Sequence, residues 1–176
     1  MKLGWSAVTL TASLSIASPC LAEDSQTTRE GFYVGIASGE YTPIQKWESS
    51  YTLGGGGNII AGYQLSPNWA LQFDWSMWLL SGSGLATWDL KAIPAVKLDL
   101  GASRVRPFAL AGAGLDAQLN EPESTWTARA VLMLGVGLQA ELRPGCRIFV
   151  EGIGYLVLGS VATRDLPIVL GMTVVF

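Results

Sequence analysis

Leu166-Pro-Ile-Val-Leu-Gly-Met-Thr-Val-Val-Phe176 is the stretch that decides the fold. Ile168, Leu170, Met172, Val174 and Phe176 share one parity, and Val169, Gly171, Thr173 and Val175 share the other. A repeat of two is that of a β-strand, whose successive side chains point to opposite faces of the sheet. The first face is apolar without interruption as far as Phe176, so the strand requires an apolar medium along its whole length. A sandwich core would supply one, and so would lipid. The other strands decide between them.

Length and composition narrow the choice. The 176 residues fit one domain and are too few for two sizeable cores. Hydrophobic residues make up 49% and charged residues only 14%, yet beyond residue 22 the apolar residues never form the run of about 20 that a transmembrane helix needs. The 21 glycines and 7 tryptophans suit close strand contacts and aromatic rings at a membrane interface.

Residues 1–22 read as a secretory signal. Lys2 gives the positive start, Leu3 to Ile16 the apolar stretch and Cys20-Leu21-Ala22 the cleavage site. Pro19 beside Cys20 argues against lipidation. The mature chain is expected to begin at Glu23 with a polar lead-in over residues 23–30. Loss of Lys2 leaves 10 basic against 14 acidic residues, a net charge of −4, and one cysteine, Cys146. No intrachain disulfide is then possible. An acidic chain without a basic tract gives no reason to expect nucleic acid.

Eight alternating segments follow over residues 31–176. The first, Gly31 to Gly39, sets Phe32, Val34 and Ile36 against Tyr33, Gly35 and Ala37. Glu40 to Gly57 reads as a long polar loop in which the run Gly54 to Gly57 supplies flexibility; no Lys-Ser/Thr follows it, so it is not a phosphate cradle. Asn58 to Leu65 is the second strand, and Ser66-Pro67-Asn68 a tight turn. The third, Trp69 to Leu80, sets Leu71, Phe73, Trp75, Met77 and Leu79 against Gln72, Asp74 and Ser76. After a loop at Ser81 to Thr87, the fourth sets Trp88, Leu90, Ala92, Pro94, Val96, Leu98 and Leu100 against Asp89, Lys91, Ile93, Ala95, Lys97 and Asp99. A turn near Gly101 to Ser103 leads to the fifth, Arg104 to Gly114. Asp116 to Trp126 reads as an acidic, solvated loop. The sixth strand is Thr127 to Leu142, with Arg143-Pro144-Gly145 as a turn; the seventh is Arg147 to Gly159, and a short loop to Asp165 precedes the eighth. In the seventh, placing Glu151 inward turns Phe149, Ile153 and Tyr155 inward and Gly152 and Gly154 outward, a distribution that a β-bulge would change.

Three motifs carry a resemblance. Gly31-Phe-Tyr-Val-Gly35 soon after the signal, Arg106-Pro-Phe108 followed by Gly112-Ala-Gly114, and the C-terminal Phe176 resemble the small bacterial outer-membrane β-barrels of the OmpA/OmpX-like type. The resemblance covers the mature chain and implies an all-β fold, an eight-stranded antiparallel up-and-down transmembrane barrel in the outer membrane of a Gram-negative bacterium. It also implies that Phe176 is part of the assembly signal, and that the partners are periplasmic chaperones, the barrel assembly machinery, outer-membrane lipid and lipopolysaccharide. A monomer is expected.

A barrel of eight strands has an interior about filled by side chains. The ionisable residues expected inside are Asp74, Asp89, Asp99, Glu141 and Glu151 against Lys91, Lys97, Arg104, Arg106 and Arg129, five of each sign. Paired charges cost far less in a narrow lumen than lone ones, so the balance predicts a salt-bridge network that plugs the barrel. Gly112, Gly114, Gly135 and Gly137 are expected to make room there for Arg, Phe and Trp. Trp47, Trp69, Trp78, Trp88 and Trp126 are expected to anchor at the headgroups. Asp116, Glu121 and Glu123 read as solvated, and Cys146 as a bystander. The chain has no histidine, the usual activator of a catalytic serine, so no enzyme is expected, nor any cofactor or metal. The expected role is structural or surface-interacting. A narrow small-solute channel is the alternative, and a soluble secreted β-barrel binder a third reading.

Overall fold

The computed structural model describes residues 30–43, 53–82, 85–101, 103–120, 125–159 and 163–176. Residues 1–29, Trp47, Glu121 and Glu123 lie outside the described residues, and with them the signal and most of the lead-in. Eight strands, β1 (Gly31–Pro43), β2 (Leu53–Gln64), β3 (Trp69–Gly82), β4 (Leu85–Asp99), β5 (Val105–Asn120), β6 (Thr125–Arg143), β7 (Cys146–Leu158) and β8 (Thr163–Val175), form a closed antiparallel barrel. The seam pairs β1 with β8, Tyr33 opposite Val175 through Pro43 opposite Asp165, and the Phe176 N–H extends it by donating to the Phe32 carbonyl at 2.8 Å.

The period of two sorts the side chains as the alternation predicts. In β3, Leu71, Phe73, Trp75, Met77 and Leu79 are exposed, while Ala70, Gln72, Asp74, Ser76 and Trp78 are buried. Leu134 and Val136 of β6 are 69% and 68% exposed, whereas Asp89 and Lys91 of β4 are at 0% and 1%. A barrel built for water puts its apolar side chains inside. This one is inverted, and its continuous apolar exterior far exceeds the patches a soluble monomer shows.

Three tight connections lie at the end of the barrel that carries Gly31 and Phe176, here called the terminus end. At the first, the Leu65 and Ser66 N–H groups donate to the Trp69 carbonyl, and the Trp69 N–H returns to the Ser66 hydroxyl. The other two turn through Gly101 (φ 99°) and Gly145 (φ 80°), conformations in which a side chain is strained. At the opposite, loop end the strands run further than the polarity of the sequence suggested. Glu40 to Pro43 and Leu53 to Gly57 are paired strand, as are Asp116 to Asn120. Parity decides their surroundings: Tyr41, Gly54, Gly56 and Asp116 face a crowded lumen, whereas Glu40 and Gly55 face outward.

The glycine run illustrates this. Gly54 to Gly57 is not a flexible loop but lies between Ser38–Tyr41 of β1 and Met77–Leu80 of β3. A Cβ on Gly56 would strike Trp78, and one on Gly54 would strike Leu80. Correspondingly, Trp78 is no headgroup anchor: it is wholly buried, its ring 5.5 Å from that of Tyr41. Trp69 and Trp126 are exposed near strand ends, with Phe32 and Tyr63 in edge contact at 4.8 Å on the terminus rim. Gly137 accommodates Phe108 as anticipated, but Gly135 accommodates Glu151, and Gly112 and Gly114 make room for Ile93, not for Arg or Trp.

β7 keeps its unusual facing without a bulge. Arg147, Phe149, Glu151, Ile153, Tyr155 and Val157 are buried, and its register against β6 runs unbroken from Leu158 to Arg147, shifting only at the turn between Glu141 and Arg143. Outward, Gly152 leaves a dent of about 350 Å³ between Val136, Leu138, Val150 and Ile168.

Candidate functional site in the barrel lumen

Because β4 turns Asp89 and Lys91, and then beyond Ile93 and Ala95 Lys97 and Asp99, to the lumen, it supplies charges to both halves of the interior. Asp89-x-Lys91 stands toward the loop end and Lys97-x-Asp99 toward the terminus end, the same pair in reverse order.

At the loop end, Lys91 Nζ bonds to Asp89 Oδ2 and lies 3.0 Å from Asp116 Oδ1 of β5. Arg129 of β6 meets the other Asp116 oxygen at 3.2 Å. Tyr41 of β1 donates its hydroxyl to Asp89 at 3.3 Å. The ammonium also sits 5.6 Å from the Tyr41 ring and 5.0 Å from the Tyr155 ring of β7, within cation–π range. The side chains of Asp89, Lys91 and Asp116 have no solvent exposure, and only Arg129, 23% exposed, reaches outward. Two carboxylates and two cations sum to zero.

Toward the terminus end the contacts pass through amides. Tyr33 donates to Gln72 Oε1 at 2.9 Å, and Gln72 Nε2 donates to both oxygens of Asp74 at 3.0 and 3.1 Å. Lys97 Nζ donates to Gln139 Oε1 at 2.6 Å, lies 3.5 Å from Asp99 and stands 4.4 Å over the Phe108 ring. Arg147 donates to Gln64 Oε1 at 3.1 Å, and Gln64 Nε2 donates on to the Ser66 and Trp69 carbonyls. Arg106 and Glu151 are buried in the same half.

Of the ten residues expected inside, Asp74, Asp89, Lys91, Lys97, Asp99, Arg106 and Glu151 are buried there, with Arg129 at the loop-end mouth. Arg104 is not. The strand begins at Val105, so Arg104 belongs to the turn and is exposed, its carbonyl accepting from the Glu141 N–H at 2.9 Å. Glu141 is half-buried at the rim, opposite Arg147 in the β6–β7 ladder. Two residues were missed. Asp116 is not a solvated loop residue but fully buried, and Arg147 is 4% exposed. Both carried a signal: Asp116 has the parity of Arg106 and Phe108, and Arg147 that of Glu151. With these exchanges the lumen still holds, among the described residues, five charged groups of each sign. Phe176 is 77% exposed on the terminus rim. Among the described residues no group of three or more His, Cys, Asp or Glu is arranged to hold a metal ion.

Solved structures share this architecture. Neisserial surface protein A superposes with a TM-score of 0.70 at 17% identity, covering 83% of this chain and 97% of that one. The outer membrane protein OprG from Pseudomonas aeruginosa gives 0.64 at 10% identity, over 87% and 99%. Ail, the attachment invasion locus protein of Yersinia pestis, gives 0.56 at 17%, over 84% and 100%. No protein-family model matches the chain, and no curated protein does. At such identities the likeness is one of fold: the chain has the fold of the small eight-stranded outer-membrane barrels.

Proposed function

We propose that this is an integral outer-membrane barrel with a closed lumen, serving the envelope as a structural or surface-interacting protein and not as a pore or an enzyme. The inversion of the barrel carries the reading. Backbone polar groups in lipid must be paired within the protein, and a closed sheet with an apolar exterior does this. The Lys91 cluster supports closure, since groups from β1, β3, β4, β5, β6 and β7 meet there and its central side chains are sealed from solvent. The absence of histidine from the sequence supports a non-enzymatic role. The exposed rings of Phe32, Tyr63, Trp69 and Phe176 suit the lipid interface at the terminus rim.

Gel mobility tests the membrane reading: the folded barrel should resist SDS and shift on boiling, and a protein soluble without detergent would refute it. Planar-bilayer recording tests the closed lumen. The expected trace is silent. Stable, reproducible conductance would favour the narrow small-solute channel, and Lys91→Ala should then only change its selectivity, where in a closed barrel it should create a leak.

A further inference from the structure

Within the terminus half of the lumen, Lys97 and Glu151 line one small cavity of about 10 Å³. Gln72 and Thr173 complete its polar wall, and the Phe108 and Phe149 rings close its apolar side. Glu151 is 3% exposed; its Oε1 is turned toward Gly135 and Leu110 and meets no hydrogen-bond donor, which leaves Oε2 as the oxygen open to the cavity. Lys97 has three protons to donate; Gln139 takes one and Asp99 lies near a second. The Gln72 amide is already engaged by Tyr33 and Asp74, whereas the Thr173 hydroxyl can both donate and accept.

The occupant follows from size and charge. A space of about 10–15 Å³ holds one water molecule, which needs two to four polar partners. An ammonium and a carboxylate share the wall, so a monatomic ion of either sign would be repelled by one of them. A neutral molecule that donates on one side and accepts on the other satisfies both. We propose that this cavity is the binding site of a single water, which accepts from Lys97, donates to Glu151 and is steadied by Thr173, so that the two charges form a water-bridged pair across the barrel. The site needs only the folded lumen, so a conducting barrel would leave it standing.

Crystals of the purified protein in detergent, taken to a resolution that places waters, test this with and without a rubidium bromide soak. The expected result is one peak within hydrogen-bonding distance of Lys97 Nζ and the Glu151 carboxylate, with no anomalous signal. Rubidium or bromide at that position would overturn the assignment, as would direct Lys97–Glu151 contact with no peak. Glu151→Gln should keep the peak and Glu151→Leu should lose it; a peak that survives Leu would also overturn it. Should the variants fail to fold, water-to-protein cross-peaks in micelles suffice. A long-lived water should reach the Thr173 methyl group, and its absence counts against the site.

Discussion

Lys91, at the loop end of the lumen, sits between two carboxylates and two tyrosine rings with no amide among its partners, whereas Lys97 and Arg147, in the terminus half, each lean on a glutamine. The difference matters because charge and amide fail differently. A carboxylate deprived of its cation in a dry interior keeps its full desolvation penalty, while a neutral amide can turn and find another partner. The loop end is therefore a lock with few substitutes, and the terminus half a network with several.

The largest effect should come from Lys91→Met, which strands Asp89 and Asp116. Urea unfolding of the detergent-folded barrel should show a loss of about 3–5 kcal/mol. Lys97→Met should cost less, about 1–3 kcal/mol, because Arg106, Arg147 and the amides of Gln72 and Gln139 remain to compensate. Equal losses would remove the distinction between the halves. The two lysines lie six residues apart on β4, about 20 Å at the rise of a strand, so the double variant should be additive within about 0.5 kcal/mol.

Smaller effects separate the lumen from its rim. Arg147→Ala should cost about 1–3 kcal/mol by leaving the Gln64 Oε1 unpaired inside, and Arg104→Ala, on the exposed turn, should stay within about 0.5 kcal/mol. Deleting Phe176 should lower stability in detergent by only about 1 kcal/mol, for the lost bond to Phe32. If Phe176 is read by the assembly machinery, as the resemblance implies, its deletion should nevertheless sharply lower the yield of barrel in the outer membrane; parallel losses in yield and stability would refute that role.

Facing was legible wherever large apolar residues alternate with polar ones, as in β3 and β4, because only the outer face needs to be greasy. It was hardest where the lumen is crowded. Trp78 has the parity of Gln72 and Asp74, yet tryptophan suggests an interface, and it took the glycines of β2 lying opposite to show where the ring goes. Asp116 looked like loop because acidic residues are usually solvated; its partner Lys91 lies on another strand, and pairing across a ladder is not written in either segment alone. Arg104 failed for the opposite reason. Its parity was right, but the strand started one residue later.

The seam between β1 and β8 carries a kinetic consequence. Every other ladder joins strands consecutive in the chain, so each can form as a local hairpin, but Tyr33 must wait for Val175. Loop-closure entropy is met in full only at that last step, and a contact so distant in sequence slows folding. Until β8 arrives, β1 presents an open edge of unpaired backbone groups that can recruit a foreign strand. The time before closure, more than the stability of the closed barrel, is thus the period in which this chain most needs a chaperone.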